Sequence, residues 1–99
     1  MSDRVIRHVA IRGRVQGVGY RDWARHVARE RAIEGWVRNR RDGSVQAVFA
    51  GSEQAVNAMI AACRKGPAQA RVESIDEREG TQEELALRGD EAFAVLATA

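Results

Sequence analysis

Residues 5–32 read VIRHVAIRGRVQGVGYRDWARHVARERA, and this stretch decides the fold. The β-branched residues of Val5–Arg12 predict a strand. Three glycines then predict a loop over residues 13–20, because glycine adopts positive φ without steric cost and lets the backbone approach a ligand closely. From Arg21 to Ala32 the apolar side chains recur with the spacing of an amphipathic helix. The first unit is therefore a strand, a glycine loop and a helix.

The rest of the chain predicts a hairpin, a second helix and two further strands. Asp42-Gly43 is a hairpin signal between a strand that starts at Gly35 and a strand over Val45–Ala50. Ser52 is the predicted N-cap of a helix that ends near Gly66-Pro67. The remaining predicted elements are a strand over Arg71–Glu79, a polar loop over residues 80–91 and a short strand over Phe93–Ala97.

This order, βαββαβ plus a terminal strand, predicts an α+β fold of the ferredoxin-like split βαβ class. In that class two helices cover one face of an antiparallel sheet, and the extra strand here is short and C-terminal. A length of 99 residues, with 44% hydrophobic and 30% charged residues, predicts one globular domain over residues 1–99. The composition excludes a disordered chain, because it provides enough apolar surface for a core.

Cysteine content and hydropathy indicate the cellular compartment in which the protein is expected. The single cysteine excludes an internal disulfide framework, and the N-terminus carries no secretory signal. These features predict a cytoplasmic protein. The most apolar stretch, residues 55–63, is far shorter than the roughly 20 residues of a transmembrane helix, so no membrane partner is expected.

The formal net charge is +2, but charge is unevenly distributed along the chain. Residues 1–41 contain eleven arginines and four carboxylates, a balance of +7, whereas residues 73–99 contain two arginines and eight carboxylates, a balance of −6. The basic half is either a solvated face or binds a small anion, for which the planar guanidinium fork of arginine is well matched.

The segment Gly13–Arg21 is the first candidate site. Backbone N–H groups in a glycine-rich bend converge on an anion, and the N-terminus of the following helix adds unpaired donors and a partial positive charge. Arg21, in the first turn of that helix, would hold the same anion with its side chain. The segment lacks the Lys-Ser/Thr ending of a nucleotide P-loop, and a tight turn whose glycines serve packing remains the alternative.

Asn39, near the end of the strand that starts at Gly35, is the second candidate. An amide donates and accepts hydrogen bonds at once, so it can hold a water beside an anion without repelling the anion. On the basis of position alone, the alternative is that Asn39 is an ordinary turn residue.

Together the two segments resemble the acylphosphatase family. Its first motif, G-x-V-Q-G-V-x-F-R, is matched by Gly13–Arg21, with Tyr20 in place of the commoner Phe. Its second motif, G-x-V-x-N-x-x-D-G-x-V-E, is matched by Gly35–Val45, with Gln46 in place of the Glu. Arg31-Ala32 replaces the usual Leu-Gly at the end of the first helix. The resemblance covers essentially the whole chain.

By this resemblance the chain is a metal-independent hydrolase that splits the carboxyl-phosphate bond of acyl phosphates, giving a carboxylate and inorganic phosphate. The residues that the resemblance assigns to phosphoryl binding are Gln16, Gly17, Val18, Gly19, Tyr20 and Arg21. The catalytic residues are Arg21 and Asn39, and Asn39 orients the attacking water. We expect a small-molecule acyl phosphate as the partner, no cofactor, no metal, no nucleic acid, and a monomer.

The leaving group explains why such a site needs no general acid. The carboxylate released from an acyl phosphate has a conjugate acid with a pKa of about 4 to 5, so it departs without protonation. His8 and His26 have no partner at metal-ligand spacing and are expected at the surface or partly packed. Cys63 lies on an apolar stripe and is expected in the core, and the Tyr20 ring is expected to pack and leave its hydroxyl unused.

Two other functions are compatible with the predicted fold. A ferredoxin-like RNA-binding module needs an aromatic-rich strand, whereas Ser44–Phe49 carries a single ring. A non-catalytic anion-binding domain, similar to the acylphosphatase-like segment of larger hydrogenase-maturation proteins, is the other alternative.

Overall fold

The computed structural model describes residues 4–99; residues 1–3, which the predicted domain includes, lie outside the described residues. The helices and strands, in chain order, are β1 (Arg4–Arg14), α1 (Tyr20–Glu30), β2 (Glu34–Asn39), β3 (Val45–Ser52), α2 (Glu53–Lys65), β4 (Arg71–Glu79), α3 (Gln82–Leu85), a 3₁₀-helix (Ala86–Arg88) and β5 (Phe93–Val95). Among residues 4–99, no helix combines the length and apolarity needed to cross a membrane.

The five strands form one sheet in the order β4-β1-β3-β2-β5. All neighbours are antiparallel except β2 and β5, which are parallel, so the predicted antiparallel sheet becomes mixed at one edge. The reason is topological: β4 ends at the end of the sheet where β2 begins, and the chain crosses there before entering β5. The ferredoxin-like α+β class is confirmed.

Both faces of the sheet carry apolar clusters. Helices α1 and α2 cover one face, and the main core lies between them and the sheet. Its buried side chains include Val9, Ile11, Ala24, Ala28, Val37, Val45, Phe49, Val56, Met59 and Phe93. We call the opposite side the open face; a smaller cluster at one of its ends contains Trp36, Val48, Ala50, Leu85 and Ala94. Alternation along each strand therefore sends side chains to two different environments.

The prediction of a loop over residues 80–91 is wrong, because α3 and the 3₁₀-helix lie within it. Thr81 and Glu84 form a capping box: the Glu84 N–H donates to Thr81 Oγ1 (3.0 Å), and the Thr81 N–H donates to Glu84 Oε1 (3.0 Å). Leu85 is buried in the smaller cluster, and the Trp36 indole N–H donates to the Glu84 carbonyl (2.6 Å). These contacts hold the segment against the open face.

Helix α1 ends at Glu30, two residues before the predicted end at Ala32. The Ala32 N–H donates to the Arg29 carbonyl (3.3 Å), and the Ile33 N–H donates to the Ala28 carbonyl (2.8 Å). These two bonds are those of a Schellman motif, which requires a residue in the left-handed region after the last helical turn. Ala32 occupies that position with φ 56°, in a conformation that glycine adopts without strain.

Replacing Ala32 with glycine should stabilise the protein. Left-handed backbone costs alanine about 1–2 kcal/mol, whereas glycine loses about 0.4–1 kcal/mol more chain entropy on folding. We therefore expect Ala32→Gly to raise the free energy of unfolding by about 0.5–1 kcal/mol in urea denaturation. Ala32 is exposed, so no core contact is lost. Arg31→Gly is the matched control, because Arg31 has φ −96° and glycine there should destabilise; equal effects of both variants would contradict the explanation.

Tyr20 links the N-terminus of α1 to the C-terminus of α2. Its ring is buried, and its hydroxyl donates to the Cys63 carbonyl (2.5 Å), so the prediction of an unused hydroxyl is wrong. The donor that would normally reach this carbonyl in a helix is the N–H four residues later, and residue 67 is a proline. Burial raises the pKa of the Tyr20 hydroxyl, which makes the group a hydrogen-bond donor and not a base.

Tyr20→Phe should remove the donor and leave a buried carbonyl without a partner. Such a group costs about 1–3 kcal/mol, so we expect the free energy of unfolding to fall by that amount in urea denaturation. The slope of the transition should stay unchanged, because the buried area is nearly the same. A loss within error of zero would mean that water or a helix shift replaces the donor.

Candidate active site

A pocket of about 240 Å³ lies where the chain leaves β1 and enters α1, beside the end of β2. Its lining residues are Val15, Gln16, Gly17, Gly19, Tyr20, Arg21, Asp22, Asn39 and Val95. The two candidate segments of the sequence therefore meet in one cavity. Val18 is not among the lining residues; its side chain packs against the main core.

The floor of the pocket is backbone with unused donors. Gly17 and Gly19 have φ of 74° and 78°, and the helix starts directly after Gly19. In the described part of the chain, no N–H from Gln16 to Asp22 donates a hydrogen bond to a protein acceptor. A side-chain carbon at either glycine would meet nothing within 4 Å, so these positions need glycine for its conformation and not for space.

The N-terminus of α1 adds to this donor set. Its first intrahelical bond runs from the Trp23 N–H to the Gly19 carbonyl (3.1 Å), and no side chain caps the helix. Unpaired N–H groups at a helix start carry a partial positive charge and favour an anion. Positive φ at Gly17 and Gly19, separated by a residue of negative φ, is typical of the concave arrangements of N–H groups that bind phosphate in other proteins.

Arg21 is the cation of the pocket. Its half-buried side chain forms no hydrogen bond and no ion pair with any residue in the range 4–99. The neighbouring carboxylate of Asp22 is largely exposed and lies 3.9 Å from Arg25. Arg21 is therefore available to a ligand that already occupies the backbone floor.

The Gln16 side chain fixes the loop to the hairpin between β2 and β3. Its Nε2 donates to the carbonyls of Arg40 (2.7 Å) and Ser44 (2.8 Å). The hairpin is itself braced, because Asp42 accepts from the N–H (2.9 Å) and the hydroxyl (2.6 Å) of Ser44, and these bonds lower the pKa of Asp42. Sequence reasoning missed this role, since a glutamine that bonds distant backbone carbonyls leaves no pattern in the sequence.

Asn39, the last residue of β2, lines the same pocket as the backbone floor, although β3 separates β2 from β1 in the sheet. Within residues 4–99 its side-chain amide has no hydrogen-bond partner. Its backbone is held: the Asn39 carbonyl accepts from the Ala99 N–H (3.0 Å), and the Ala99 carbonyl accepts from the Arg41 N–H (3.0 Å). The free amide thus sits on a fixed backbone next to the cavity.

The histidines and the cysteine lie elsewhere. His26 is exposed near Glu30 and Cys63 is in the main core, both as predicted. His8 is buried on the open face, so the prediction of a surface or partly packed position is wrong for this histidine. Burial raises the pKa of the Cys63 thiol to about 12, so it is not a nucleophile near neutral pH. Across residues 4–99, no three His, Cys, Asp or Glu side chains are grouped as metal ligands.

Comparison with known proteins identifies the family. A family model described as Acylphosphatase matches residues 7–93. An acylphosphatase of Rhodopseudomonas palustris (strain ATCC BAA-98 / CGA009) is 54% identical over 95 residues, which are 95% of this chain and 96% of the relative. The chain belongs to the acylphosphatase family. The match includes the glycine loop and Asn39, so both halves of the pocket lie within the acylphosphatase segment.

Solved acylphosphatase structures share the fold. The acylphosphatase from Coxiella burnetii has a TM-score of 0.83 and 30% identity, with 95% of this chain and 94% of that chain covered. The acylphosphatase from Bacillus subtilis has a TM-score of 0.81 and 32% identity, with 93% and 98% covered. The family resemblance seen in the sequence is confirmed over nearly the whole chain.

Proposed function

We propose that the pocket between the glycine loop and β2 is the active site at which this chain hydrolyses acyl phosphates. Its acylphosphatase relatives support the reaction: cleavage of the carboxyl-phosphate bond into a carboxylate and inorganic phosphate. The observation that carries the assignment is that Arg21 and Asn39, from separate elements, line one cavity whose backbone floor has unused N–H donors. Neither side chain is engaged elsewhere in residues 4–99.

The phosphoryl group binds on the floor. The N–H groups of Gln16, Gly17, Val18, Gly19 and Tyr20 surround its oxygens, and the Arg21 guanidinium closes over them with two parallel donors. These donors are fixed before substrate arrives, because the loop is held by Gln16 and by the start of α1. Fixed donors stabilise the charge of the transferring phosphoryl group without reorganising during the reaction.

Water attacks phosphorus from the side of β2. Asn39 accepts a hydrogen bond from this water and takes up no proton from it, so Asn39 orients the water without acting as a base. The P–O bond to the carboxyl oxygen breaks as the new P–O bond forms, and the carboxylate leaves with the electron pair. The proton that the water loses is taken up by the phosphate product. Val15 and Val95 give the cavity apolar walls.

Activity should be insensitive to pH between about 5 and 8, because guanidinium groups stay protonated and amides do not ionise in this range. It should also survive EDTA and thiol alkylation, since the proposed step uses no metal and the Cys63 thiol is buried. The measurement is kcat at saturating benzoyl phosphate, corrected for spontaneous hydrolysis at each pH. A limb near pH 6–7 would indicate a working histidine, and loss on chelation would require a metal.

Release of phosphate from benzoyl phosphate, measured beside binding of single-stranded RNA, tests the function itself. The acylphosphatase assignment requires turnover well above the spontaneous rate. RNA binding without turnover would support the RNA-binding module, and phosphate binding without turnover would support the non-catalytic anion-binding domain. Family membership does not favour either alternative.

We further propose that residues 1–99 act as one monomeric domain in the cytoplasm without a nucleic-acid partner. This chain itself supplies the groups that the proposed step uses: the loop N–H donors, Arg21 and Asn39. Light scattering coupled to gel filtration, with activity measured across protein concentrations, tests the monomer. A specific activity that rises with concentration would contradict it.

A further inference from the structure

The open face carries a second cavity that the proposed reaction does not use. It has a volume of about 380 Å³, and its lining residues come from β1, β3, β4 and the hairpin between β2 and β3. The residues that matter for its chemistry are His8, Arg12, Arg40, Gln46, Asp76 and Arg78. It shares no lining residue with the active-site pocket, and we call it the open-face pocket.

A buried polar chain forms its floor. His8 and Gln46 are only 7% and 8% exposed. The Arg38 Nε–H donates to Gln46 Oε1 (2.7 Å), so the Gln46 amide presents its NH₂ group to His8 and donates to Nε2 (2.8 Å). An imidazole that accepts at Nε2 is neutral and carries its proton on Nδ1.

That Nδ1–H is an unused donor. It has no hydrogen-bond partner within residues 4–99. Every fully buried side-chain nitrogen or oxygen of these residues has a partner, so Nδ1 is not fully buried, and His8 lines the cavity. Burial lowers the pKa of His8, and Arg78, Arg40 and Arg38 lower it further against the opposing effect of Glu84. Three arginines and one carboxylate therefore act on the charge of the His8 ring.

The arginines around the floor are unequally neutralised. Arg12 pairs with Asp76 (3.2 Å) and Asp42 (3.7 Å), and Arg78 pairs with Glu84 (2.7 Å). Glu77, which also lines the cavity, pairs with Arg64 (3.1 Å). In contrast, neither Arg38 nor Arg40 forms an ion pair with any carboxylate of residues 4–99.

We propose that the open-face pocket binds a phosphate-class oxyanion, with Arg40 as its unpaired cation and His8 Nδ1–H as its floor donor. Arg40 is the lining arginine without an ion-pair partner in residues 4–99, and its guanidinium fork matches the oxygens of such an anion. Arg12 and Arg78 line the rim. The anion is either free phosphate or the phosphate group of a small monoester, which share this chemistry.

A nucleic acid fits the open face less well. Single-stranded nucleic acids bind through rings on which their bases stack. The aromatic ring on this face, Trp36, is 1% exposed, and Arg38 lies over it at 4.8 Å from the ring centre. Charge is therefore present without a stacking surface, which favours a small anion.

The experiment is a titration of the full chain with inorganic phosphate, followed by NMR at two sets of signals. The loop amides from Gln16 to Asp22 report on the active-site pocket, and the His8 ring and Gln46 side-chain amide report on the open-face pocket. Arg40→Gln removes the unpaired cation. Arg41→Gln is the matched control, because it removes the same charge one residue away and Arg41 does not line the cavity.

We expect separate saturable curves for the two sets of signals. Arg40→Gln should weaken phosphate binding at the open face by about tenfold or more, the loss expected for a charged hydrogen bond, while Arg41→Gln changes it less than about twofold. Saturation at the loop alone, or equal effects of the two variants, would overturn the proposal. Because the active-site signals are read separately, failure here is distinguishable from failure of the proposed hydrolysis.

A second arm identifies the source of the anion. If glycerol phosphate saturates the His8 and Gln46 signals at lower concentration than inorganic phosphate, the phosphate group of a monoester is the ligand; the reverse order assigns free phosphate. Either order supports the site. Single-stranded RNA that shifts signals along β1 and β3 and displaces phosphate would instead make the open face a nucleic-acid surface and overturn the small-anion assignment.

Discussion

Arg21→Lys is expected to lower kcat/KM for benzoyl phosphate by on the order of a hundredfold or more, the effect of removing one transition-state donor. The variant keeps the charge, so a general electrostatic role would predict little change. A lysine ammonium is a point charge on a flexible stem and cannot place two parallel N–H groups on two phosphoryl oxygens. Because Arg21 has no partner in residues 4–99, its replacement breaks no contact that holds the fold.

Arg25→Lys is the control for this variant. Arg25 lies in the same helix and makes only a 3.9 Å contact with Asp22, and it does not line the active-site pocket. Phosphate affinity, read from the loop amides, should fall in Arg21→Lys and stay unchanged in Arg25→Lys. If Arg21→Lys kept most of its activity, the backbone floor alone would hold the phosphoryl group, and Arg21 would be removed from the catalytic residues.

The regular elements of this fold were predictable because burial imposes a period on the sequence. Helix α2 buries Val56, Met59, Ile60 and Cys63 at helical spacing, and Ser52 caps it by accepting from the Ala55 N–H (3.1 Å). The segment around α3 was missed for the opposite reason. A helix of four residues is too short to show a period, and the Thr81/Glu84 capping box was its single local signal.

The backbone of the site could be predicted from the sequence, but the hydrogen-bond partners of two of its side chains could not. Three glycines before a helix indicate a bend rich in free N–H groups, because few other residues adopt positive φ. The partners of Gln16 and the hydroxyl of Tyr20 were not predictable in this way, since both bond carbonyls far along the chain. One clue existed for Tyr20: Pro67 leaves the Cys63 carbonyl without its helical donor.

The parallel pairing of β5 with β2 depends on tertiary structure. Phe93–Val95 is too short to specify a partner, and its position follows from the crossing of the preceding segment beneath the open face. That crossing is held by Leu85 in the smaller cluster and by the Trp36–Glu84 hydrogen bond. The edge strand in turn brings Val95 to the wall of the active-site pocket.

Asn39→Ala should lower kcat by about a hundredfold while phosphate still binds, because misplacing the attacking water affects the reaction and not the ground-state complex. The loop and Arg21, which hold the phosphoryl group, are intact in this variant. The Asn39 side chain has no partner within residues 4–99, and its backbone bonds survive truncation to alanine, so stability should change little. Asn57→Ala, on the exposed surface of α2, is the matched control.

The diagnostic quantity is the split between turnover and binding. If Asn39 orients water, the loop amides of Asn39→Ala saturate with inorganic phosphate at nearly the wild-type concentration while kcat collapses. Parallel loss of phosphate affinity and turnover, in a variant that still unfolds at the wild-type urea concentration, would reassign Asn39 to anion binding. Unchanged turnover would remove it from the mechanism, and the water would then be positioned by the phosphoryl oxygens themselves, as the loose transition state of phosphoryl transfer permits.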